Sequence, residues 1–242
     1  MMMRHVLRSG LALTLFLALE GAGHAGSFEV SPVRANLSSG QHVAALTVRN
    51  TGHDPAVIQL QAMSWTQQES RDILNPTGDI LATPPIFTLA PGASQVVRVG
   101  SRRPPDPGVE TAYRLMLQEV PPPPEPGFKG LRVALKISLP IFLIPSAQAN
   151  VKLVWHATPA GNGKLQLSVS NEGSAHVHLA GLTMTSPEVK TPVVFADSSV
   201  YVLPHASHAW LVDSRAGSGD TVHVVAHDDS DGIQADVVVG AH

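Results

Sequence analysis

Residues 131–143, LRVALKISLPIFL, constrain this chain more than any other stretch. Leu131, Val133, Leu135, Ile137, Leu139 and Ile141 alternate with Arg132, Ala134, Lys136, Ser138, Pro140 and Phe142. In an extended backbone the first set shares one face, whereas a helix would scatter it, so period two selects a β-strand. At about 3.3 Å per residue the segment would reach roughly 40 Å, against a usual strand of about 17–20 Å. The expectation is one unbroken strand over 131–143 that outruns its own domain and offers part of its apolar face to another chain.

The first residues bear on where the chain works. Arg4, His5 and Arg8 precede an apolar run at 11–19, and Gly21-Ala22-Gly23-His24-Ala25 supplies small residues at a cleavage point. That order predicts a secretory signal peptide over 1–25, cut after Ala25. The run stops at Glu20, short of the about 20 apolar residues a membrane anchor needs. No later segment is long and apolar enough to span a bilayer, so no membrane insertion is expected after cleavage.

The chain has no cysteine, which excludes disulfide bracing, thiol chemistry and Cys zinc sites. A net charge of −3 with 14% charged residues argues against nucleic acid as a partner. Beyond the signal, the chain is long enough for two domains of roughly 110 residues, each with its own core.

The pattern is all-β throughout. β-rich runs at 27–37, 42–50 and 56–66 are split by Ser38-Ser39-Gly40 and Thr51-Gly52-His53-Asp54-Pro55, which form turns. The run at 80–89 contains Pro84-Pro85, so it suits an edge or a sheet-switching strand. Strands at 93–99 and 110–120 come next, then the proline-rich loop 121–127, then the long alternating segment. Short strands with regular turn signals predict an immunoglobulin-like sandwich over 26–148. Pro145 and the small, polar residues to Asn150 mark a boundary. Runs at 151–157, 164–170, 176–185, 192–195, 199–203, 207–212, 221–227 and 233–239 predict a second β-sandwich over 149–242.

Catalytic signals are weak. The 12 histidines invite a metal reading, since His176 and His178 share a strand face and His205, His208, His223 and His227 lie further on. Without ligand spacing they are expected to be solvent-facing imidazoles, and no metal site is assigned. Asp228-Asp229-Ser230-Asp231-Gly232 lacks the closing Glu of a calcium loop and suits a polar hairpin turn. No G-x-S-x-G, phosphate-binding or dinucleotide motif is present. The sequence offers no catalytic constellation and no enzyme is expected.

Several pieces in fixed order resemble a known family. These are Ser31-Pro32-Val33-Arg34, Thr83-Pro84-Pro85-Ile86-Phe87-Thr88-Leu89-Ala90-Pro91-Gly92, Val96-Val97-Arg98-Val99, Tyr113-Arg114-Leu115 and Glu119-Val120-Pro121-Pro122, ahead of the long strand and Pro145. Together they resemble the PapD-like periplasmic chaperones of the chaperone–usher pathway. Tyr113-Arg114-Leu115 and Leu139-Pro140-Ile141-Phe142 look more like its divergent, archaic branch. The likeness covers roughly 28–146 well, and the second domain only in length and strand content.

The resemblance implies two immunoglobulin-like sandwiches in a boomerang arrangement, located in the periplasm. It implies a chaperone that binds pilus subunits, lends them a strand and passes them to an outer-membrane usher, without cofactor, metal or ATP. Strand lending saturates a subunit's open edges and fills its groove with alternate side chains. Leu131, Val133, Leu135 and Ile137 are the expected donor residues, with Leu139 and Ile141 retained in the chaperone's own core. The family also holds the subunit's C-terminal carboxylate with two cations in the interdomain cleft. Arg34 matches the first. Aligning the terminal prolines puts Pro140 where the best-known members carry Lys, a departure from the pattern. Lys136 faces the same side four residues earlier, and Arg114 lies on the neighbouring strand. Arg114, Lys136 and Arg34 are therefore the candidate anchors. The alternative is a secreted tandem β-sandwich acting as an adhesin-like or pilus structural module. Whether the free protein dimerises to cap its edge stays open at this level.

Overall fold

The computed structural model describes residues 28–123, 133–186, 189–195, 199–228 and 232–240. The signal segment 1–25 and Leu131 lie outside the described residues. Every described element is a strand, and among the described residues no helix is long and apolar enough to cross a membrane.

The first half is a sandwich of two sheets. One runs in the order β1 (Phe28–Ser31), β3 (Val43–Asn50), β8 (Ser94–Ser101), β6 (Ile80–Thr83). The other runs β2 (Ala35–Leu37), β10 (Lys136–Leu143), β9 (Thr111–Glu119), β4 (Ala56–Gln68), β5 (Arg71–Pro76), with β7 (Ile86–Leu89) also paired to β4. The run at 80–89 does switch sheets. β6 pairs β8 in one sheet and β7 pairs β4 in the other, with Pro84-Pro85 at the crossing, where missing N–H groups cost no ladder bond. Leu46, Val48, Ile58, Val97, Val99, Leu115, Leu117, Leu139 and Ile141 fill the space between the sheets.

The second half repeats the plan. β11 (Leu153–Gly161), β12 (Lys164–Asn171) and β16 (Ser207–Asp213) form one sheet. β14 (Val189–Val194), β13 (Val177–Ser186), β17 (Thr221–His227) and β18 (Gly232–Val238) form the other, with β15 (Val200–Val202) also on β13. Its core includes Leu165, Leu167, Val169, Leu179, Leu182 and Val224, and extends without a break to Trp65, Ala112 and Phe142 of the first half.

The two sandwiches share a pinning device, carried in each half by a Val-x-Asn-x-Gly stretch, residues 48–52 and 169–173. Buried Asn50, at the end of β3, donates from Nδ2 to the carbonyls of Asp54 (2.7 Å) and Leu89 (3.0 Å) and accepts the Gly52 N–H at Oδ1 (2.8 Å). Buried Asn171, at the end of β12, donates to Ala175 (2.8 Å) and Val202 (3.1 Å) and accepts the Gly173 N–H (3.0 Å). Each side chain thus ties one sheet to a strand of the other. The turns they face also match, through Ala90-Pro91-Gly92-Ala93 and Leu203-Pro204-His205-Ala206, with Gly92 at φ 74° and His205 at φ 58°. At the Asn171 turn, a methyl on Gly173 would collide with the backbone of Asn150 and Lys152.

The long strand needs correction. β10 begins at Lys136, not at Leu131. Val133 and Ala134 carry no strand pairing, and the Leu135 backbone is held by its carbonyl, which accepts the Glu119 N–H (2.9 Å), and by its own N–H, which donates to the Glu119 carboxylate (3.1 Å). The cause lies in the neighbour. β9 ends at Glu119, and Val120 turns its N–H to Val57 (2.8 Å). Pro121-Pro122-Pro123 then have no N–H to offer. An alternating segment cannot extend a ladder beyond its partner.

Candidate functional site

β10 has one closed edge and one mostly open edge. On one side it pairs with β9 along its whole length, from Lys136↔Gln118 to Leu143↔Thr111. On the other it meets β2, in parallel, only at Ile141↔Ala35, Phe142↔Asn36 and Leu143↔Leu37. Among the described residues, no strand pairs with 136–140 on that side. The backbone groups there are available to an incoming strand. Just before the open stretch, Val133 is 58% exposed. Leu135 and Ile137 are half-buried and pack against the first core, while Leu139 and Ile141 are fully inside it. The alternating face therefore grades from open to closed along the chain.

The opposite face of this sheet forms a strip of successive rows. Pro140, Arg114 and Met63 make one row. Ser138, Met116 and Gln61 make the next, and Lys136, Gln118 and Gln59 the one beyond. Lys136 and Arg114 do share a face, yet two rows separate them, about 13 Å at 3.3 Å per residue. The three candidate cations are not brought to one place.

Arg114 lies near Tyr201 of the second half, and Arg34 lines a cavity that Tyr201 also lines. The Arg114 guanidinium lies over the Trp65 ring at 3.6 Å and stands 5.3 Å from the Tyr201 ring, distances at which the ring faces attract a cation. Its side chain is only 14% exposed, with exposed Asp72 at 3.9 Å. Burial pulls the Arg114 pKa below its ordinary value, opposed by Asp72 and Tyr201, and an arginine so placed stays charged. Arg34, half-buried between β1 and β2, lines an open cavity of about 600 Å³ together with Pro32, Asn36, Ala44, His178 and Tyr201.

An aromatic and polar seam joins the halves beside these cations. Phe142 stacks on His176 at 3.5 Å, Tyr201 stacks on His178 at 4.3 Å and meets Trp65 edge-on at 5.4 Å. The His176 Nδ1–H donates to the Glu110 carboxylate at 2.6 Å, and the His176 backbone N–H reaches the same oxygen at 3.3 Å. Their side chains are 13% and 2% exposed. Gln67 closes the seam like a strand partner. Its amide donates to the Tyr201 carbonyl (2.8 Å) and accepts the Leu203 N–H (2.9 Å).

The expectation of solvent-facing imidazoles is thus corrected for His176, whose ring is sandwiched at the interface. Sequence reasoning also missed Glu110, Gln67, Trp65 and Tyr201. Their strand parity was readable, but not that the second half covers them. Among the described residues no three His, Asp or Glu side chains gather closely enough to share a metal ion.

Comparison with known proteins agrees with this architecture. The chain is 30% identical over 141 residues to the chaperone protein PapD of Escherichia coli, an overlap of 56% of this chain and 55% of that one. It therefore spans about half the length of the curated relative it matches. Its fold resembles a chain in the CsuC–CsuE chaperone–tip adhesion subunit pre-assembly complex from archaic chaperone–usher Csu pili of Acinetobacter baumannii. The TM-score is 0.67 at 19% identity, covering 89% of this chain and 99% of that one. It also resembles a chain in the complex of the Salmonella enterica SafA pilin with the SafB chaperone, with a TM-score of 0.63 at 20% identity over 87% and 96% of the two chains. At these identities the two structures establish the fold. The profile of the pili and flagellar-assembly chaperones, PapD N-terminal domain, matches residues 27–149, half of the sequence, and the chain belongs to that family.

Proposed function

We propose that this protein is a periplasmic chaperone that lends the open edge of β10 to pilus subunits and hands them to an outer-membrane usher. The observation that carries this reading is the unpaired edge at 136–140, followed at once by parallel pairing to β2. A strand added there takes up backbone bonds that this sheet leaves unused. The segment before it supplies alternate apolar side chains, with Val133 the most open of those described. Leu135 and Ile137 join it as donors by tilting away from the first core, and Leu131 continues the same face in the sequence.

The anchor for the subunit's terminal carboxylate is Arg114, 5.3 Å from the Tyr201 ring, with Arg34, which lines a cavity that Tyr201 also lines. Bidentate guanidinium–carboxylate pairing fixes the register of the incoming strand. Lys136 lies two rows along the strip and meets the bound chain further from its end. The chain reaches the periplasm through the signal at 1–25, and the cycle needs no nucleotide, cofactor or metal. Subunit release follows from strand exchange at the usher.

Co-expression with a pilus subunit tests the reading. A soluble 1:1 complex is expected, and a subunit that stays insoluble and uncomplexed contradicts it. Val133→Glu sharpens the test. Because Val133 is exposed in the free protein, the change should leave folding within about 0.5 kcal/mol while blocking the complex. Leu135→Glu is the poorer probe, since Leu135 already packs on the first core.

A further inference from the structure

We propose that Tyr201, a residue of the second half, is the positioning residue that presents Arg114 to a chain-terminal carboxylate. This inference rests on the anchoring role proposed above. Tyr201 meets Trp65 edge-on at 5.4 Å and stands 5.3 Å from the Arg114 guanidinium, which also lies over the Trp65 face at 3.6 Å. Arg114 is thus boxed by one ring from each half. Tyr201 also lines the cavity that holds Arg34, and of the residues lining that cavity only His178 and Tyr201 come from the second half.

Tyr201 is itself fixed twice. Its ring stacks on His178 at 4.3 Å, and one edge of its short strand is held at its C-terminal end by the Gln67 amide, through the Tyr201 carbonyl and the Leu203 N–H. β15 is only three residues long and, among the described strands, pairs with β13 alone. Gln67 therefore couples the aim of Tyr201 to the docking of the first sandwich.

An arginine side chain is flexible, and one that must be immobilised at the moment of binding weakens the complex. Stacking that already holds the guanidinium removes that cost. The ring, not the hydroxyl, supplies the positioning. A second consequence is that neither sandwich alone holds a complete anchor.

The test uses the full chain and a synthetic peptide of alternating apolar residues, made with a free C-terminal carboxylate and again as the C-terminal amide. Calorimetry reads both affinities. The wild type should prefer the free acid. Tyr201→Ala should weaken free-acid binding by about five- to tenfold and leave the amide unchanged. Tyr201→Phe, which keeps the ring, should restore the preference. Arg114→Ala should abolish it, and adding Tyr201→Ala to that variant should change nothing more. If Tyr201→Ala does not fold, Tyr201→Leu carries the same expectation, since it keeps apolar bulk without an aromatic face. A wild type that prefers the acid, with a Tyr201→Ala or Tyr201→Leu that prefers it equally, overturns this inference alone. Equal weakening of both peptides overturns it too, because the residue would then be merely structural. A wild type that does not discriminate overturns the anchoring role and this inference with it.

Discussion

Glu110→Ala probes the seam between the halves at a buried polar contact. The substitution removes the acceptor of two donors, the His176 Nδ1–H at 2.6 Å and the His176 backbone N–H at 3.3 Å. Each buried donor left without its acceptor costs about 1–3 kcal/mol, because it stays desolvated and unsatisfied. Two donors are stranded, and since the His176 side chain retains 13% exposure and its partner 2%, some water reaches the orphaned ring, so about 3 kcal/mol in all is expected. For a chain of this size each kcal/mol moves the midpoint by about 2–4 °C, which gives a fall of roughly 6–12 °C. Differential scanning calorimetry measures it directly. Because the pair joins the two sandwiches, the variant should also split one transition into two. Glu110→Gln keeps an acceptor oxygen for Nδ1–H without the charge and should lose about half as much. A double-mutant cycle with His176→Ala should return a coupling of at least about 1.5 kcal/mol. A Glu110→Ala midpoint within about 0.5 kcal/mol of wild type, or additive single variants, would refute the argument that this contact holds the halves together.

Two further changes test the pinning device. Asn50→Ala and Asn171→Ala each strand a glycine N–H and two carbonyls, so each should cost about 2–3 kcal/mol in guanidinium titrations. Similar losses from the two are expected, and a loss below about 0.5 kcal/mol at either site would contradict the equivalence. His205 sits at φ 58° where the matching turn has Gly92 at 74°. His205→Gly should therefore gain about 0.5–1 kcal/mol of stability, and a loss would show that the imidazole matters more than the backbone.

Much of the architecture is legible in local pattern. Alternation at 135–143 gives the faces of β10, and paired prolines at 84–85 give the sheet switch, because both signals are carried by the residues themselves. The start of β10 is not local. It depends on where β9 ends and on prolines that lack donors, so alternation back to Leu131 overstates the strand. β5 escapes notice for a similar reason. Its apolar content is only Ile73-Leu74, and its turn uses Glu69 and Ser70 at φ 50° and 62° in place of the Asn-Gly pair that signals a hairpin. At the candidate site, parity puts Lys136 on the side of Pro140, and the register then pairs Pro140 with Arg114. Parity does not convert four residues into a distance, and it is silent on contacts between halves. His176 and Tyr201 come together through strand pairing inside the second half, and only the docking of two sandwiches brings Glu110 to His176.

The ring beneath Arg114 also makes the cleft observable. Of the three tryptophans in the chain, Trp65 is the one under the Arg114 guanidinium. Trp155 and Trp210 stack on each other at 6.2 Å in the second half. An anion arriving at Arg114 changes the electric field across one indole and leaves the other two as a steady background. Intrinsic emission can therefore follow occupancy of the cleft in real time, without a label, from a chain that has no cysteine to attach one to.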